Sequence, residues 1–257
     1  MAPDTNSKPA WIELATDDPA ASRRFYSQLL GWDFVVSDDP QYGGYAIARL
    51  AGGEGDVAGI TAKMMPETPT AWSLYIGTDD AAALGEVVRA AGGSVVAPAF
   101  DVGDMGRMAV FADPTGALFS AWQAAGPRNF RTGDVGTMGW AELSSRDIDK
   151  AKGFYGQVFG WAAETSPMGE GQPDYTTFMS GDEGILGGIE MVPTVPAEVP
   201  SYWMVYFKVS DVDAAFTTAI ELGATEVAAP SPMPGGRFAI VTDPQGAMLG
   251  LMTTDQV

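Results

Sequence analysis

Apolar and polar positions follow one another in the same order twice along the chain. The segment WIEL, which begins at Trp11, alternates as a half-buried strand does, and WAEL at Trp140 repeats it. A helical stripe comes next, because DPAASRRFYSQLLG places Ala21 and Phe25 on one side and supplies Gly31 as a stop. Each copy is therefore expected to open with a strand and a helix.

Further short strands are predicted after each of these helices. They are YAIARLAG and VAGITAKM in the first copy, and YTTFMSG and LGGIEMV in the second. A Pro-rich connector then leads to another strand (WSLYIG or WMVYFKV), a second helix that ends in Gly, and two last strands around a DPTG or DPQG turn. The order of one strand, one helix and three strands (βαβββ) is thus expected four times.

The repetition divides the chain into two related halves. Residues 11–32 and 140–161 agree at 9 of 22 positions without a gap, and the DP turns at Asp113 and Asp243 are similarly spaced. A period near 130 residues is too long for a solenoid. We therefore predict one domain over residues 8–125 and a second over residues 136–254.

Composition agrees with two folded domains. The chain has 257 residues, 46% of them hydrophobic, which is enough for a core in each half. No apolar run approaches the ~20 residues that span a bilayer, and MAPDTNSKPA lacks the features of a secretory signal. We expect a cytoplasmic protein that does not associate with a membrane.

The net charge of the chain excludes one class of binding partner. The net charge is −19 and both halves are acidic, so neither offers the basic face that nucleic-acid binding needs. Two interpretations stay open: the acidity keeps the protein soluble, or it attracts cationic ligands.

The absent residue types exclude several chemistries. With no Cys and no His, the chain cannot form disulfides, thiolate or imidazole metal sites, or Ser-His-Asp and Cys-His catalytic groups. It also shows no glycine-rich dinucleotide or Walker fingerprint. We therefore expect no cofactor, and acid–base work would fall to Glu, Asp, Tyr, Lys or Arg.

Three repeated motifs carry a family resemblance. They are the opening D…A..FY...LGW pattern, the SDVDAA…LGA helix and the DPTGA/DPQGA turns. Over roughly residues 8–253 the chain resembles the vicinal oxygen chelate superfamily of glyoxalases, bleomycin resistance proteins and ring-cleaving dioxygenases. It is most similar to the actinobacterial tandem glyoxalase-like group, which includes mycobacterial antigens and proteins encoded beside polyketide-antibiotic hydroxylation.

The resemblance implies an α+β fold of two fused glyoxalase-like domains. In each domain, paired βαβββ units form a cup-shaped mixed sheet with flanking helices. Metalloenzymes of the superfamily hold a divalent metal in the cup with His, Glu or Gln. The matching positions here are, in the two halves, Trp11, Ser73 (or Trp72) and Ser120, then Trp140, Met204 (or Trp203) and Gly250. None of these is a competent ligand, so we expect no metal site.

Strand alternation places a carboxylate beside each opening tryptophan. Glu13 and Glu142 follow Trp11 and Trp140 by two residues and so share their strand face. A carboxylate buried beside an indole has a raised pKa and can act as a general base, which makes the two Glu residues catalytic candidates. The alternative is a purely structural role, with hydrogen bonds to backbone or Arg.

Trp11 and Trp140 are also the leading candidates for ligand binding. Indole faces suit a flat aromatic ligand and attract cations, although these side chains can equally fill an obsolete cavity. The remaining ligand-binding candidates are Trp72, Trp203, Tyr45, Tyr175, Ser73, Met204, Ser120 and Trp122.

Three functions follow from these observations. The favoured one is a metal-independent protein that binds a hydrophobic, aromatic natural product or antibiotic, one that can carry a positive charge. Such a protein would serve sequestration and resistance, or support a biosynthetic hydroxylation. The second is a metal-independent isomerase, lyase or hydroxylation-linked enzyme that uses Glu13 or Glu142 on a polyketide-like substrate. The third is a divalent-metal glyoxalase or dioxygenase. Both a monomer and a homodimer remain open.

Overall fold

Four βαβββ modules make up the chain, as the sequence pattern predicts. The structure is a computed structural model that describes residues 7–127, 129–169 and 171–254. The first module consists of β1 (Pro9–Thr16), α1 (Pro19–Leu30), β2 (Trp32–Val36), β3 (Ala46–Leu50) and β4 (Asp56–Ala62). The second consists of β5 (Ala71–Gly77), α2 (Ala81–Ala90), β6 (Ser94–Val102), β7 (Gly106–Ala112) and β8 (Leu118–Ala124).

The second half repeats this order of elements. The third module consists of β9 (Met138–Ser145), α3 (Ile148–Phe159), β10 (Ala162–Ser166), β11 (Tyr175–Ser180) and β12 (Glu183–Glu190). The fourth consists of β13 (Tyr202–Lys208), α4 (Val212–Glu221), β14 (Thr225–Met233), β15 (Gly236–Thr242) and β16 (Met248–Thr254). None of the described helices is long and apolar enough to cross a membrane.

An aspartate starts every helix. The carboxylate of Asp18 accepts a hydrogen bond from the Ala21 N–H, and those of Asp80, Asp147 and Asp211 cap α2, α3 and α4 in the same way. The first helix of each half then ends at a glycine in the left-handed region, with φ +70° at Gly31 in the first half. These caps fix where each helix leaves its sheet.

Each half of the chain forms one eight-stranded mixed sheet. The strand order is β2-β3-β4-β1-β5-β8-β7-β6 in the first half and β10-β11-β12-β9-β13-β16-β15-β14 in the second. Hairpin-connected strands pair antiparallel, whereas β1 pairs parallel with β4, and β5 with β8. The α+β architecture of two glyoxalase-like domains with cup-shaped sheets is thereby confirmed.

The compact units of the molecule combine modules from both halves. Unit I holds most of the second and third modules (Leu74–Arg128 and Ala141–Trp203) together with Trp11, and α2 packs against α3 inside it. Unit II holds most of the first and fourth modules (Ile12–Ser73 and Met204–Val257) together with Trp140, and α1 packs against α4. Each sheet therefore contributes strands to both units.

Aromatic rings fill the core of each unit on the helix side of the strands. In unit II, Tyr26 stacks on Trp32 with centroids 5.5 Å apart, and Phe207 meets Trp32 edge-on. In unit I, Tyr155 stacks on Trp161, also at 5.5 Å, and Phe119 packs against Tyr155. The opposite face of the strands points away from the helices, and we call it the open face.

Candidate functional site

The opening strands present tryptophan and glutamate on the open face. Along β1, Ile12 and Leu14 are fully buried against the helix, while Trp11 and Glu13 alternate with them and are half-buried. Along β9, Trp140 and Glu142 are half-buried in the same way. In each opening strand the Trp and the Glu therefore lie on the same face, as the alternation predicts.

Each glutamate lies beside a glycine in the neighbouring strand. Glu13 is in register with Gly59 of β4, and Glu142 is in register with Gly187 of β12. Because the neighbouring position carries no side chain, the backbone of β4 or β12 lies directly beside each glutamate on that side of the strand. Sequence reasoning missed these glycines, although both lie within short apolar segments, VAGI in the first half and LGGI in the second.

Unit I carries an apolar and aromatic strip on its open face. One row runs from Tyr75 through Ser120 to Val110, in register across β5, β8 and β7. The next row begins at Gly77 and runs through Trp122 and Met108 to Phe100 at the edge. We call the residues of these two rows the Trp122 strip. It brings together two of the residues predicted from sequence, Ser120 and Trp122.

The Trp122 strip offers flat apolar area with a few polar atoms. Its second row places an indole, a thioether and a phenyl ring side by side, and Phe100 is 40% exposed. The first row carries the hydroxyl-bearing residues Tyr75 and Ser120, both of which are buried, with 4% of each exposed. Ligand sites for aromatic molecules commonly combine such an apolar surface with a small number of placed polar groups.

Unit II carries a different surface at the equivalent positions. Tyr206 is in register with Gly250, and Met252 and Phe238 occupy the places of Trp122 and Met108. A Cβ at residue 250 would overlap the Tyr206 ring, so this ring covers the last-strand position. The two halves are therefore not equivalent, despite their repeated sequence.

Trp72 and Trp203 lie in the cores, away from the open face. The Trp72 N–H donates to the Tyr26 hydroxyl at 2.9 Å, and the Trp203 N–H donates to the Tyr155 hydroxyl at 2.8 Å. Strand alternation puts Ser73 on the other face of the strand from Trp72 and likewise separates Met204 from Trp203. The two alternatives of the sequence alignment thus lie on opposite faces, with Ser73 and Met204 on the open face and Trp72 and Trp203 in the cores.

The two tyrosines that hold these indoles also bind the aspartates of the DP turns. Tyr26 donates to Asp243 at 2.8 Å, and Tyr155 donates to Asp113 at 3.1 Å. Burial raises the pKa of the Asp243 carboxyl, although the N–H of Ala247 and the Tyr26 hydroxyl oppose the shift. Burial, aided by Asp243, also raises the pKa of Tyr26 well above its usual value. These networks hold each core together and do not face the open side.

Tyr45 directly precedes β3, and Tyr175 is the first residue of β11. Tyr45 is hydrogen-bonded through its carbonyl to the Ser37 N–H, and Tyr175 is in register with Ser166 and Ile189. Both side chains are half-buried. Tyr75 and Tyr206 are open-face tyrosines that sequence reasoning missed, and their signal was the shared spacing of three residues after Trp72 and Trp203.

The positions that the family resemblance matches to metal ligands carry few metal-binding atoms. In the first half they carry indole and hydroxyl groups, and in the second an indole, a thioether and a glycine covered by Tyr206. A divalent ion needs three or four converging N, O or thiolate donors. Within residues 7–127, 129–169 and 171–254 no group of three or more acidic side chains is placed to supply them. These residues therefore do not supply the set of donor atoms that a divalent metal ion needs.

Comparison with known proteins places the chain in a family. The model of the Glyoxalase/Bleomycin resistance protein/Dioxygenase superfamily matches residues 8–120 and again 137–251. CFP32 of Mycobacterium tuberculosis, which is named as a glyoxylase, is 37% identical over 95% of this chain and 94% of its own length. The anthracycline biosynthesis protein DnrV of Streptomyces peucetius is 37% identical over 93% of this chain and 90% of its own length.

Solved structures share the fold at low identity. The Mn(II)-bound glyoxalase of Novosphingobium aromaticivorans aligns with a TM-score of 0.65 at 18% identity, covering 98% of this chain and 83% of that one. The 2,3-dioxygenase LapB of Pseudomonas sp. KL28 aligns with a TM-score of 0.64 at 15% identity, covering 97% and 92%. The chain belongs to the glyoxalase/bleomycin resistance/dioxygenase superfamily, as a tandem member.

Proposed function

We propose that this protein binds a hydrophobic aromatic small molecule without a metal ion, either to support a biosynthetic hydroxylation or to sequester the compound. The observation that carries the proposal is the Trp122 strip of unit I, where Trp122, Met108 and Phe100 lie in adjacent strands on the open face. Relatives named as anthracycline biosynthesis proteins match this chain over nearly its full length. They make an anthracycline-type polyketide the ligand class to test first.

The chemistry of such a ligand agrees with the surface. An anthracycline has a planar fused-ring core, which can stack on an indole and contact a thioether. Many anthracyclines also carry an amino sugar, and a cation is favoured by indole faces and by the net charge of −19. Stacking supplies most of the affinity in this proposal, and charge adds selectivity.

A matched pair of variants tests the proposal. Trp122→Leu removes the indole and keeps apolar bulk, and Met252→Leu changes the equivalent position of the other half. With daunorubicin and its uncharged aglycone as probes in isothermal titration calorimetry, Trp122→Leu should weaken binding about tenfold, roughly 1.4 kcal/mol. Met252→Leu should bind as the wild type does. Equal affinities for both variants would remove the Trp122 strip as the site.

A second function, metal-independent catalysis, rests on the two Glu–Gly pairs. A carboxylate beside a glycine can accept a proton from an acidic C–H or O–H group of a polyketide. Glu13→Gln keeps the shape and removes the base, and Glu142→Gln does the same in the other half. A variant that still binds the probe but loses turnover assigns catalysis to that glutamate. Full turnover in both variants removes the two glutamates as the base, and a wild type without turnover leaves binding alone as the function.

A further inference from the structure

Strand β2 is an edge of the first sheet and is poorly protected against pairing. It pairs with β3 in regular register, without a bulge, and its last two residues are exposed valines, with Val35 52% exposed. Natural sheets usually guard their edges with bulges, prolines or charges, because an open edge recruits another strand. The strand has one charged residue, the exposed Asp33, and from Phe34 to Val36 the edge has none of these devices.

The other three sheet edges are guarded. Strand β6 contains two register shifts and Pro98, and β14 contains two register shifts with Pro230 and Pro232. Strand β10, the counterpart of β2, is exposed and polar, with Glu164 at the position of Val35. The difference between β2 and β10 lies in side chains alone, since the backbones are equivalent.

The backbone groups that β2 offers can be identified from its hydrogen bonds. Ser37 N–H donates to the Tyr45 carbonyl, which marks the odd-numbered residues as those that bond β3. The even-numbered Phe34 and Val36 therefore point their N–H and C=O groups outward. The carbonyl of Trp32 points the same way, because the Ser27 hydroxyl of α1 donates to it.

We propose that β2 pairs with β2 of a second copy of this chain, antiparallel about a twofold axis through Val35. In this register Phe34 of each copy lies opposite Val36 of the other, so two outward-facing residues meet and form four backbone hydrogen bonds. The two Val35 side chains become a cross-strand pair. The edge is thus complementary to itself.

The surface beside β2 fits the same partner. A groove of about 430 Å³ lies between α1 and β2, lined by Ala20, Arg23, Arg24, Ser27, Gln28 and Phe34. In the twofold pair Val36 of the second copy enters this groove beside Phe34. Its exposed Asp38 comes opposite Trp32, level with Ser27 and one helical turn from the two arginines. Among the described side chains neither Arg23 nor Arg24 forms an ion pair, so both are available to that aspartate.

Sedimentation equilibrium of the full chain tests the proposal with two variants and one control. Val36→Pro removes an outward N–H without breaking the pairing with β3, and Val35→Glu copies the Glu164 of β10. Each should raise the dimer dissociation constant about tenfold or more, because one removes backbone bonds and the other opposes two carboxylates. Val227→Glu, at a residue of β14 that is also 52% exposed, should leave the constant unchanged.

Circular dichroism establishes that each variant is folded. A wild-type chain that is monomeric at every concentration overturns the proposal, and so does a dimer that persists in both β2 variants. If Val227→Glu weakens the dimer as much as Val35→Glu does, general charge repulsion is responsible and the β2 pairing is wrong.

Discussion

The Tyr26 hydroxyl is the single group whose removal should cost unit II the most stability for the smallest change in volume. It donates to the Asp243 carboxylate at 2.8 Å and accepts from the Trp72 N–H at 2.9 Å, all within a buried aromatic cluster. In Tyr26→Phe the carboxylate loses a charge-assisted hydrogen bond, worth roughly 1.5–3 kcal/mol. The indole N–H is left buried without an acceptor, which costs about 1–3 kcal/mol. We expect a total loss of about 3–5 kcal/mol in the free energy of unfolding.

Tyr155→Phe in unit I is the matched comparison. It breaks the equivalent bonds to Asp113 and Trp203, but Asp113 still accepts from the Thr115 hydroxyl at 2.8 Å and from two backbone N–H groups. Asp243 has Gln245 in place of Thr115, so it lacks this hydroxyl donor and keeps backbone donors such as the N–H groups of Gln245 and Ala247. Tyr155→Phe should therefore cost about 1 kcal/mol less than Tyr26→Phe.

Urea unfolding, followed by tryptophan fluorescence and far-ultraviolet circular dichroism, measures both variants. Gln245→Thr should give Asp243 the missing hydroxyl donor and reduce the cost of Tyr26→Phe by about 1 kcal/mol in the double variant. The reasoning fails if Tyr26→Phe costs less than about 0.5 kcal/mol, or if Tyr155→Phe is the more damaging change.

Variants at three further sites probe the open face, the core and a helix cap. Gly250→Ala should lower the free energy of unfolding in urea by roughly 1–3 kcal/mol, because its Cβ overlaps the Tyr206 ring. Adding Tyr206→Ala in the same chain should relieve that overlap. If the stability losses of the two substitutions simply add up in the double variant, the overlap is not the cause. For Asp243 the folded pKa is raised, so its contribution is fully present below the unfolded pKa of about 3.9 and falls as pH rises through the raised folded value. The stability of wild type minus that of Asp243→Asn should accordingly shrink from pH 3 to pH 7, and growth over that range would contradict the sign. Asp18→Ala should lose about 1 kcal/mol as an N-cap, and thermal unfolding with no change would show that the cap is dispensable.

Sequence reasoning recovers the fold because its signals are local and repeated. Asp18 and Gly31 mark the ends of α1, and both recur in the second half. Strand alternation places Trp11 and Glu13 on one face, since a period of two needs no tertiary information. The same alternation assigns faces correctly only when the starting residue is known, and the sequence alignment could not decide between Trp72 and Ser73.

The composition of the cores could not be read from the repeat. Tyr26 and Asp243 are 217 residues apart in sequence, and nothing local to either residue indicates the other. The Trp122 strip could not be predicted from the sequence for a related reason. The register between β7 and β8 decides which side chains become neighbours, and the sequence does not show that register. Trp122 stood out in the sequence only as the tryptophan without a counterpart, which is Met252 in the other half.

Calorimetric titration of chelator-treated protein with daunorubicin tests the proposed metal-independent binding most directly. Saturable binding should survive chelation, weaken about tenfold in Trp122→Leu, and be unchanged in Met252→Leu. Binding that appears only after a stoichiometric divalent ion is restored, or that ignores Trp122→Leu, would contradict it.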